Sequence, residues 1–317
     1  MKVLVRRLFP CPSADRWRRF ESVMKECLGE LRHEVQELDL DPDFPPDPHA
    51  DFRIYAHKTR REAPWVDLHY KEMHMKGLFT IDPQGWGFDH SASASLPDLE
   101  ETPLDEARAF CFGLRNSFLA NGMSKHLQPA LGEIEQDLLP FVLVPLQLPT
   151  DDTIMHHSPV SVIDFIHLTA DWAESAKQKI VIKLHPGTYI PEVAEVARRR
   201  ASGSRFVFLR DSNIHSLIAA STGVLVINSG VGFESLIHGK PVAVLGRCDY
   251  QWIVYRADPK RLGEALRYMR GYTPKQQDSG FRFIHHYYHR HAYFTGAPDV
   301  HAPKARLLQY LEQHLRD

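Results

Sequence analysis

Apolar positions in the second half of the chain fall into short, unbroken runs rather than alternating stripes. Phe141-Val-Leu-Val144, Lys179-Ile-Val-Ile-Lys183 and Val224-Leu-Val-Ile227 are rich in β-branched and aromatic residues, the pattern of strands covered on both faces of a parallel sheet. Phe206–Leu209 and Val242–Leu245 predict two further strands, and amphipathic stretches near 160–176, 190–200, 213–220, 231–238 and 259–270 predict the helices between them. Such alternation calls for a parallel sheet with helices on both faces.

The first half is less regular. Lys2–Arg6 predicts a strand, and the periodicity from Ala14 to Arg32 predicts a helix with Phe20, Val23, Met24, Cys27 and Leu31 on its apolar face. Asp39 to Pro48 is too rich in proline for regular structure. Strands follow at Phe52–Ala56 and Gly77–Asp82, then a loop rich in glycine and serine from Asp82 to Ser95, then a helix from about Leu104 to Leu119. Asn121 to Leu139 reads as a connector, and a last helical region runs from about Phe283 to the C-terminus. The expected fold class is α/β, with two Rossmann-like domains facing a cleft and a parallel sheet in the C-terminal one. The expected bounds are 1–136 for the N-terminal α/β domain, 137–275 for the C-terminal domain, and 276–317 for helices that pack back on the first.

Composition narrows the function classes. A chain of 317 residues, 43% hydrophobic and 25% charged, is long enough for two ordinary soluble domains. A net charge of -2 and a pI near 6.8 argue against nucleic acid as a partner, which needs a basic face. The absence of a long apolar run or a signal-peptide pattern suggests a cytoplasmic protein. Cys11, Cys27, Cys111 and Cys248 lack paired spacing, so neither a disulfide framework nor a zinc site is expected.

Candidate chemistry gathers where three predicted strands end: Gln147-Leu-Pro-Thr-Asp151-Asp152, Lys183-Leu-His185-Pro186 and Asn228-Ser229-Gly230-Val-Gly232-Phe-Glu234. Ligands of open α/β sheets bind just beyond such strand ends. A carboxylate pair, a His-Pro and a glycine-rich helix start suit an acidic, phosphate-bearing substrate. Asp151 and Asp152 also fit a simple cap on a helix starting near Ser158, and Gln147 alone is an ordinary polar strand end. Pro186 keeps His185 out of helical conformation and directs the imidazole from the strand end, with Lys183 two residues earlier as a source of charge. The start at Asn228–Gly232 offers free backbone N–H groups and the positive end of a helix dipole to a phosphate, although a tight turn without a ligand uses the same residues. Glu234, one turn in, is placed to reach a ribose hydroxyl or to cap the helix. The pattern is neither a dinucleotide fingerprint nor a Walker loop.

Taken in order, Pro145–Ile154 with His157-Ser-Pro159, Lys183–Pro186, Asn228–Val242 and Leu245-Gly246 resemble the bacterial capsule polysaccharide biosynthesis proteins, retaining β-Kdo transferases that use CMP-Kdo. Gly77–Trp86 and the serine-rich stretch to Ser95 resemble that family's N-terminal loop, so the resemblance runs over roughly residues 77–250. It implies a GT-B-like fold and transfer of Kdo, or a related ulosonic acid, from a CMP-sugar to a glycolipid or polysaccharide acceptor. It assigns Asp151 as nucleophile, His185 as the group assisting CMP release, and Gln147 as a contact of donor or nucleophile. Lys183, Pro186, Asn228, Ser229, Gly230, Gly232 and Glu234 then bind the donor, and Asp82, Gln84, Trp86 and Ser93 shape the acceptor side. No cofactor or metal is called for, and a lipid-linked acceptor implies peripheral association with the cytoplasmic face of the inner membrane. Alternatives on the same sheet are a catalytically silent assembly or export partner, a sugar-nucleotide epimerase and an inverting transferase.

Histidines outside this set carry weaker signals. His285 and His289 share a helical face at a spacing that metals use, but the stretch reads better as a wet aromatic helix facing acceptor or membrane. His57-Lys58 with Arg60-Arg61, and His69 to His74, read as solvated basic surface that an anionic acceptor could meet.

Overall fold

The computed structural model describes residues 1–7, 14–39, 49–121, 124–187, 190–294 and 301–316. Through the first half its elements are β1 (Lys2–Arg7), α1 (Ala14–Glu30), β2 (Glu34–Asp39), β3 (Phe52–Ala56), β4 (Leu68–Glu72), β5 (Leu78–Asp82) and α2 (Leu104–Asn121). Then follow β6 (Val142–Pro145), α3 (Asp152–His157), α4 (Val162–Ala176), β7 (Ile180–Lys183), α5 (Pro191–Ala201), β8 (Val207–Leu209), α6 (Ile214–Ala220), β9 (Gly223–Val226) and α7 (Gly230–Ile237). The chain ends with β10 (Val242–Val244), β11 (Tyr255–Arg256), α8 (Leu262–Arg270), α9 (Pro274–Arg290), β12 (Ala292–Phe294) and α10 (His301–Arg316). Two compact units result, Met1–Ala94 with Tyr287–Asp317, and Ser95–His286.

The first unit holds a six-stranded sheet in the order β12-β5-β4-β3-β1-β2. β1 to β4 run parallel, while β5 is antiparallel to both β4 and β12. Trp17, Phe20, Met24, Cys27 and Leu28 recur at helical spacing and bury one stripe of α1 among Leu68, Tyr70, Phe79 and Ile81. Phe20 stacks on Phe79 with ring centroids 4.4 Å apart. Leu307, Leu311 and Leu315 of α10 enter the same core, each leucine contributing roughly 1.5–3 kcal/mol on full burial.

The second unit is a six-stranded sheet in the order β11-β10-β9-β6-β7-β8, every pair parallel. From β6 the chain steps outward through β7 and β8, crosses back to β9, and steps outward the other way. Strand order therefore reverses between β6 and β9, which makes the far ends of those two strands the topological switch point. The helices bury Val162, Phe165, Ile166 and Ala170 of α4 and Leu262, Ala265, Leu266 and Met269 of α8 against the strands. Arg108 of α2 holds Asp278 of α9 by two hydrogen bonds of 2.9 Å, and the Cys111 thiol donates to Phe281 O at 3.8 Å.

Several expectations need correction. Asp39 ends strand β2 rather than opening an irregular stretch; residues 40–48 lie outside the described residues. The last region is two helices separated by β12, and the first of them starts at Pro274, where proline is well suited to a first helical turn. Its aromatic residues form core rather than a wet face: Phe281, Phe283, Ile284, Tyr287 and Tyr288 are all buried. His69 and His74 are buried as well, because His69 sits on β4 and His74 just beyond it. The helix after Asp151 begins at Asp152, and Ser158 stands at its C-terminal end.

Candidate active site

The switch point brings together the first and third strand-end motifs. Gln147, just past β6, donates from Nε2 to Asn228 Oδ1 at 2.9 Å, and the Asn228 backbone N–H donates to Gln147 Oε1 at 3.2 Å. The Asn228 side-chain amide in turn donates to Thr153 O at 2.8 Å. Both side chains are buried, so their polar atoms need these partners. The pair ties the end of β9 to the start of α3 and fixes where Asp151 stands.

Asp151 is the N-cap of α3. Its Oδ1 accepts from the Thr153 N–H at 3.2 Å and from the Thr153 hydroxyl at 3.1 Å, while Oδ2 takes no hydrogen bond from any described residue. A capping carboxylate at the start of a helix is oriented through one oxygen. The other oxygen remains available for chemistry. Asp152 lies in the first turn of α3 and is half-buried.

His185 follows β7 and lines a recess with Gln147, Leu148, Pro149, Leu184 and Ile190. Its Nδ1 accepts from the Gly187 N–H at 3.0 Å, which places the proton of the neutral ring on Nε2. Burial pulls the imidazole below its ordinary range; the Asp151 carboxylate opposes this, and Lys125 and Lys183 add to it. His185 is therefore a neutral donor at pH 7. Lys183 is buried with its ammonium 3.0 Å from Asp211 Oδ1, and Pro186 is exposed.

Ser229 caps α7, its hydroxyl accepting from the Val231 N–H at 3.2 Å. Gly230 is the first residue of the helix. Gly232 answers to packing: a Cβ there would stand 2.4 Å from the Tyr250 hydroxyl oxygen, and that hydroxyl donates to Ser229 O at 2.5 Å. Tyr250 thus braces the loop from below. Glu234 does not cap α7. It is buried, with Oε1 accepting from the Ser124 hydroxyl at 2.9 Å and Oε2 without a hydrogen-bond partner among the described residues. Burial pushes its carboxyl up to about 8 against the Ser124 hydrogen bond and the Lys125 charge.

The residues read as a connector bring more to the site than the sequence suggested. Ser124 holds Glu234, and His126 packs edge-on against His185 with ring centroids 4.6 Å apart. Gln128 Oε1 accepts from the Ile214 N–H at 3.2 Å at the start of α6, and Asn213 Nδ2 donates to Pro129 O at 2.9 Å. The local signal was the polar Ser124-Lys-His126 run ahead of Pro129, which lacks any helix or strand period.

In the first unit, Asp82 organises its own loop. Oδ1 accepts from the backbone N–H groups of Gln84, Gly85 and Ser91 at 2.8, 3.3 and 3.1 Å and from the Ser91 hydroxyl at 3.0 Å. Trp86 is buried with the Lys71 ammonium 3.3 Å from its ring centroid, a cation–π contact. Ser93 donates to Phe88 O. Gln84 alone of the four expected acceptor-side residues is exposed.

These features define a GT-B-like α/β protein, two six-stranded sheets of which one is wholly parallel. Residues 125–253 match the model of the capsule polysaccharide biosynthesis protein family. It is 34% identical over 187 residues to protein FixF of Sinorhizobium fredii, covering 56% of this chain and 44% of FixF. It is 27% identical over 176 residues to the capsule polysaccharide export protein KpsS of Escherichia coli, covering 52% of this chain and 44% of KpsS. The matches thus span less than half the length of these curated relatives. In fold, the chain is similar to the β-Kdo 2,7 transferase of Thermosulfurimonas dismutans KpsC, with a TM-score of 0.56 and 18% identity over 99% of this chain and 100% of that one. The β-Kdo 2,4 transferase of the same KpsC gives a TM-score of 0.50 at 16% identity over 96% and 97%. Among the described residues no helix is long and apolar enough to cross a membrane.

Proposed function

We propose that the chain is a retaining glycosyltransferase of capsule or surface polysaccharide biosynthesis, moving Kdo or a related ulosonic acid from a CMP donor to a glycolipid or polysaccharide. The observation that carries this reading is the setting of Asp151, held through one carboxylate oxygen and open at the other, with the recessed His185 near enough to feel its charge.

The Asp151 carboxylate attacks the anomeric carbon while the bond from that carbon to the phosphate oxygen of CMP breaks, and the electron pair leaves with CMP. His185 meets the departing oxygen with its Nε2 proton. An acceptor hydroxyl then attacks the same carbon, Asp151 leaves as a carboxylate, and the hydroxyl proton passes to His185. Two inversions at one carbon give net retention. The first amides of α7 receive the phosphate, and Gln147 with Asn228 keeps both strand ends in register. On the acceptor side Gln84 offers an exposed amide, while Asp82, Trp86 and Ser93 hold the loop that carries it. A lipid-linked acceptor places the reaction at the cytoplasmic face of the inner membrane.

Mass mapping after incubation with CMP-Kdo and an acid quench tests the reading. One ulosonosyl group is expected on the peptide bearing Asp151. Transfer product formed without that adduct, and formed equally well by Asp151→Asn, rejects the mechanism. Calorimetric titration tests the donor separately: CMP should bind, and no binding, or a preference for UDP, removes it.

A further inference from the structure

A cavity of about 460 Å³ lies where the strands of the second sheet begin, at the end opposite Gln147 and Asn228. Pro140, Gln178, Thr222 and Pro241 lead into β6, β7, β9 and β10, so it runs across four neighbouring strands. α8 contributes Leu266, Met269 and, at its last residue, Arg270. Gly223 lets Met269 lie against β9, since a Cβ there would stand 2.7 Å from the methionine sulfur. The volume is that of a small-molecule site.

The charged groups of this cavity are all cationic. Lys240 is half-buried and donates from Nζ to Ser221 O at 2.8 Å; Arg270, at the exposed rim, donates to Gln178 Oε1 at 3.2 Å. The Gln178 side-chain amide donates to Lys179 O at 2.9 Å, which leaves its Oε1 for Arg270. Both acceptors are neutral. Among the described residues no carboxylate lines the cavity, and neither cation forms an ion pair. Burial lowers the Lys240 ammonium from its ordinary range, with no neighbouring carboxylate to raise it. The Tyr272 hydroxyl is raised, by burial first, and so keeps its proton as a further donor. An ammonium has three N–H groups and a guanidinium five, so each cation retains donors for a ligand.

Two cations without a counterion match about two negative charges, which a phosphate monoester carries near pH 7 and a carboxylate or sulfonate does not. A guanidinium also suits the geometry of phosphate oxygens. Leu266 and Met269 beside them favour an ester with an apolar body over the bare ion.

We propose that this cavity binds a phosphate monoester with a small apolar body, Lys240 and Arg270 meeting the dianion and Leu266 and Met269 receiving the body. It is a second site, at the other end of β6 and β9 from Asp151 and Ser229, and it stands whether or not the donor is a CMP-sugar.

Phosphorus NMR titration of the full chain with phenyl phosphate, at constant ionic strength, tests the proposal in wild type, Arg270→Gln, Lys240→Gln and His185→Ala. Binding should be saturable in wild type, unchanged in His185→Ala, and about tenfold weaker in Arg270→Gln, the loss of one charge-assisted contact. Arg270 is exposed, so that variant should keep the wild-type thermal midpoint even if Lys240→Gln, which frees Ser221 O, does not. Phenyl phosphate should also bind more tightly than inorganic phosphate and than benzenesulfonate. Absence of saturable binding in wild type overturns the site, as does wild-type affinity in both cation variants. Binding lost in His185→Ala but kept in Arg270→Gln moves the ligand to the strand-end site and overturns it equally. Inorganic phosphate binding as tightly as the ester overturns the role of the apolar floor.

Discussion

Gln147 and Asn228 exchange two hydrogen bonds across the switch point of the parallel sheet, at 2.9 and 3.2 Å. Gln147 serves both the side-chain oxygen and the backbone N–H of Asn228 inside a buried site, so deleting the Gln147 side chain takes a partner from each. Gln147→Leu should cost about 1–3 kcal/mol, read as a lower urea midpoint at unchanged m-value. It should also weaken CMP binding, because Asn228 N–H leads directly into Ser229 and α7. A variant as stable as wild type would show that the pair does not hold the two strand ends.

Gly232 sits where Tyr250 needs room. With a Cβ brought to 2.4 Å of the Tyr250 hydroxyl oxygen, Gly232→Ala should destabilise by about 1–3 kcal/mol through overpacking. Tyr250→Phe removes that oxygen and should recover part of the loss. The checkable quantity is the coupling in a double-mutant cycle of chemical denaturation; strictly additive effects would contradict the packing account.

Two buried groups give stability opposite slopes with pH. Glu234 is raised by burial from 4.5 to about 8, so the folded state holds its proton longer than the unfolded state does. Its contribution is complete below about pH 4.5 and is lost as pH rises through 8. His238 is lowered from 6.5 to about 3, by burial first and then by the neighbouring His215 and nearby cations. Its Nε2 lies 3.1 Å from His215 Nδ1, a contact that serves as a hydrogen bond while both rings are neutral. That contribution is present above about pH 6.5 and is lost as pH falls toward 3. Urea midpoints should therefore decline above about pH 6.5 and again below about pH 4.5. Glu234→Gln should flatten the alkaline limb and His238→Gln the acid limb; a limb that keeps its slope in its variant rules that group out as the source.

Burial also silences the thiols of the three cysteines among the described residues, Cys27, Cys111 and Cys248. It pushes Cys27 up to about 11 and Cys111 up to about 12, and raises Cys248 well above its ordinary range. Only thiolate reacts with alkylating reagents. Mass mapping after iodoacetamide at pH 8 should find all three unmodified in the native protein and all three labelled in urea.

What the sequence revealed and what it hid follow from the periods involved. β6, β7 and β9 were legible because strands covered on both faces become unbroken apolar runs. β4, Leu-His-Tyr-Lys-Glu, was not: its polar residues His69 and Glu72 are buried, and the alternation resembles basic surface. β2 was hidden for the opposite reason, since none of its residues is fully buried. α3 spans only Asp152–His157, too short to show a helical period, so in the sequence its cap at Asp151 reads as belonging to a later helix. Three strand-end motifs were visible at their own positions. Ser124 and His126 were not, because a polar run shows no sign of contacts with Glu234 and His185 far along the chain.

The central claim is that Asp151 is the nucleophile, and its most direct test is the rate of CMP release from CMP-Kdo by wild type and by Asp151→Ala, compared at equal folded fraction. Wild type should release CMP in the presence of acceptor, and the variant should be slower by roughly a thousandfold or more, the scale at which a displaced covalent nucleophile is felt. Equal rates in the two proteins would contradict the account.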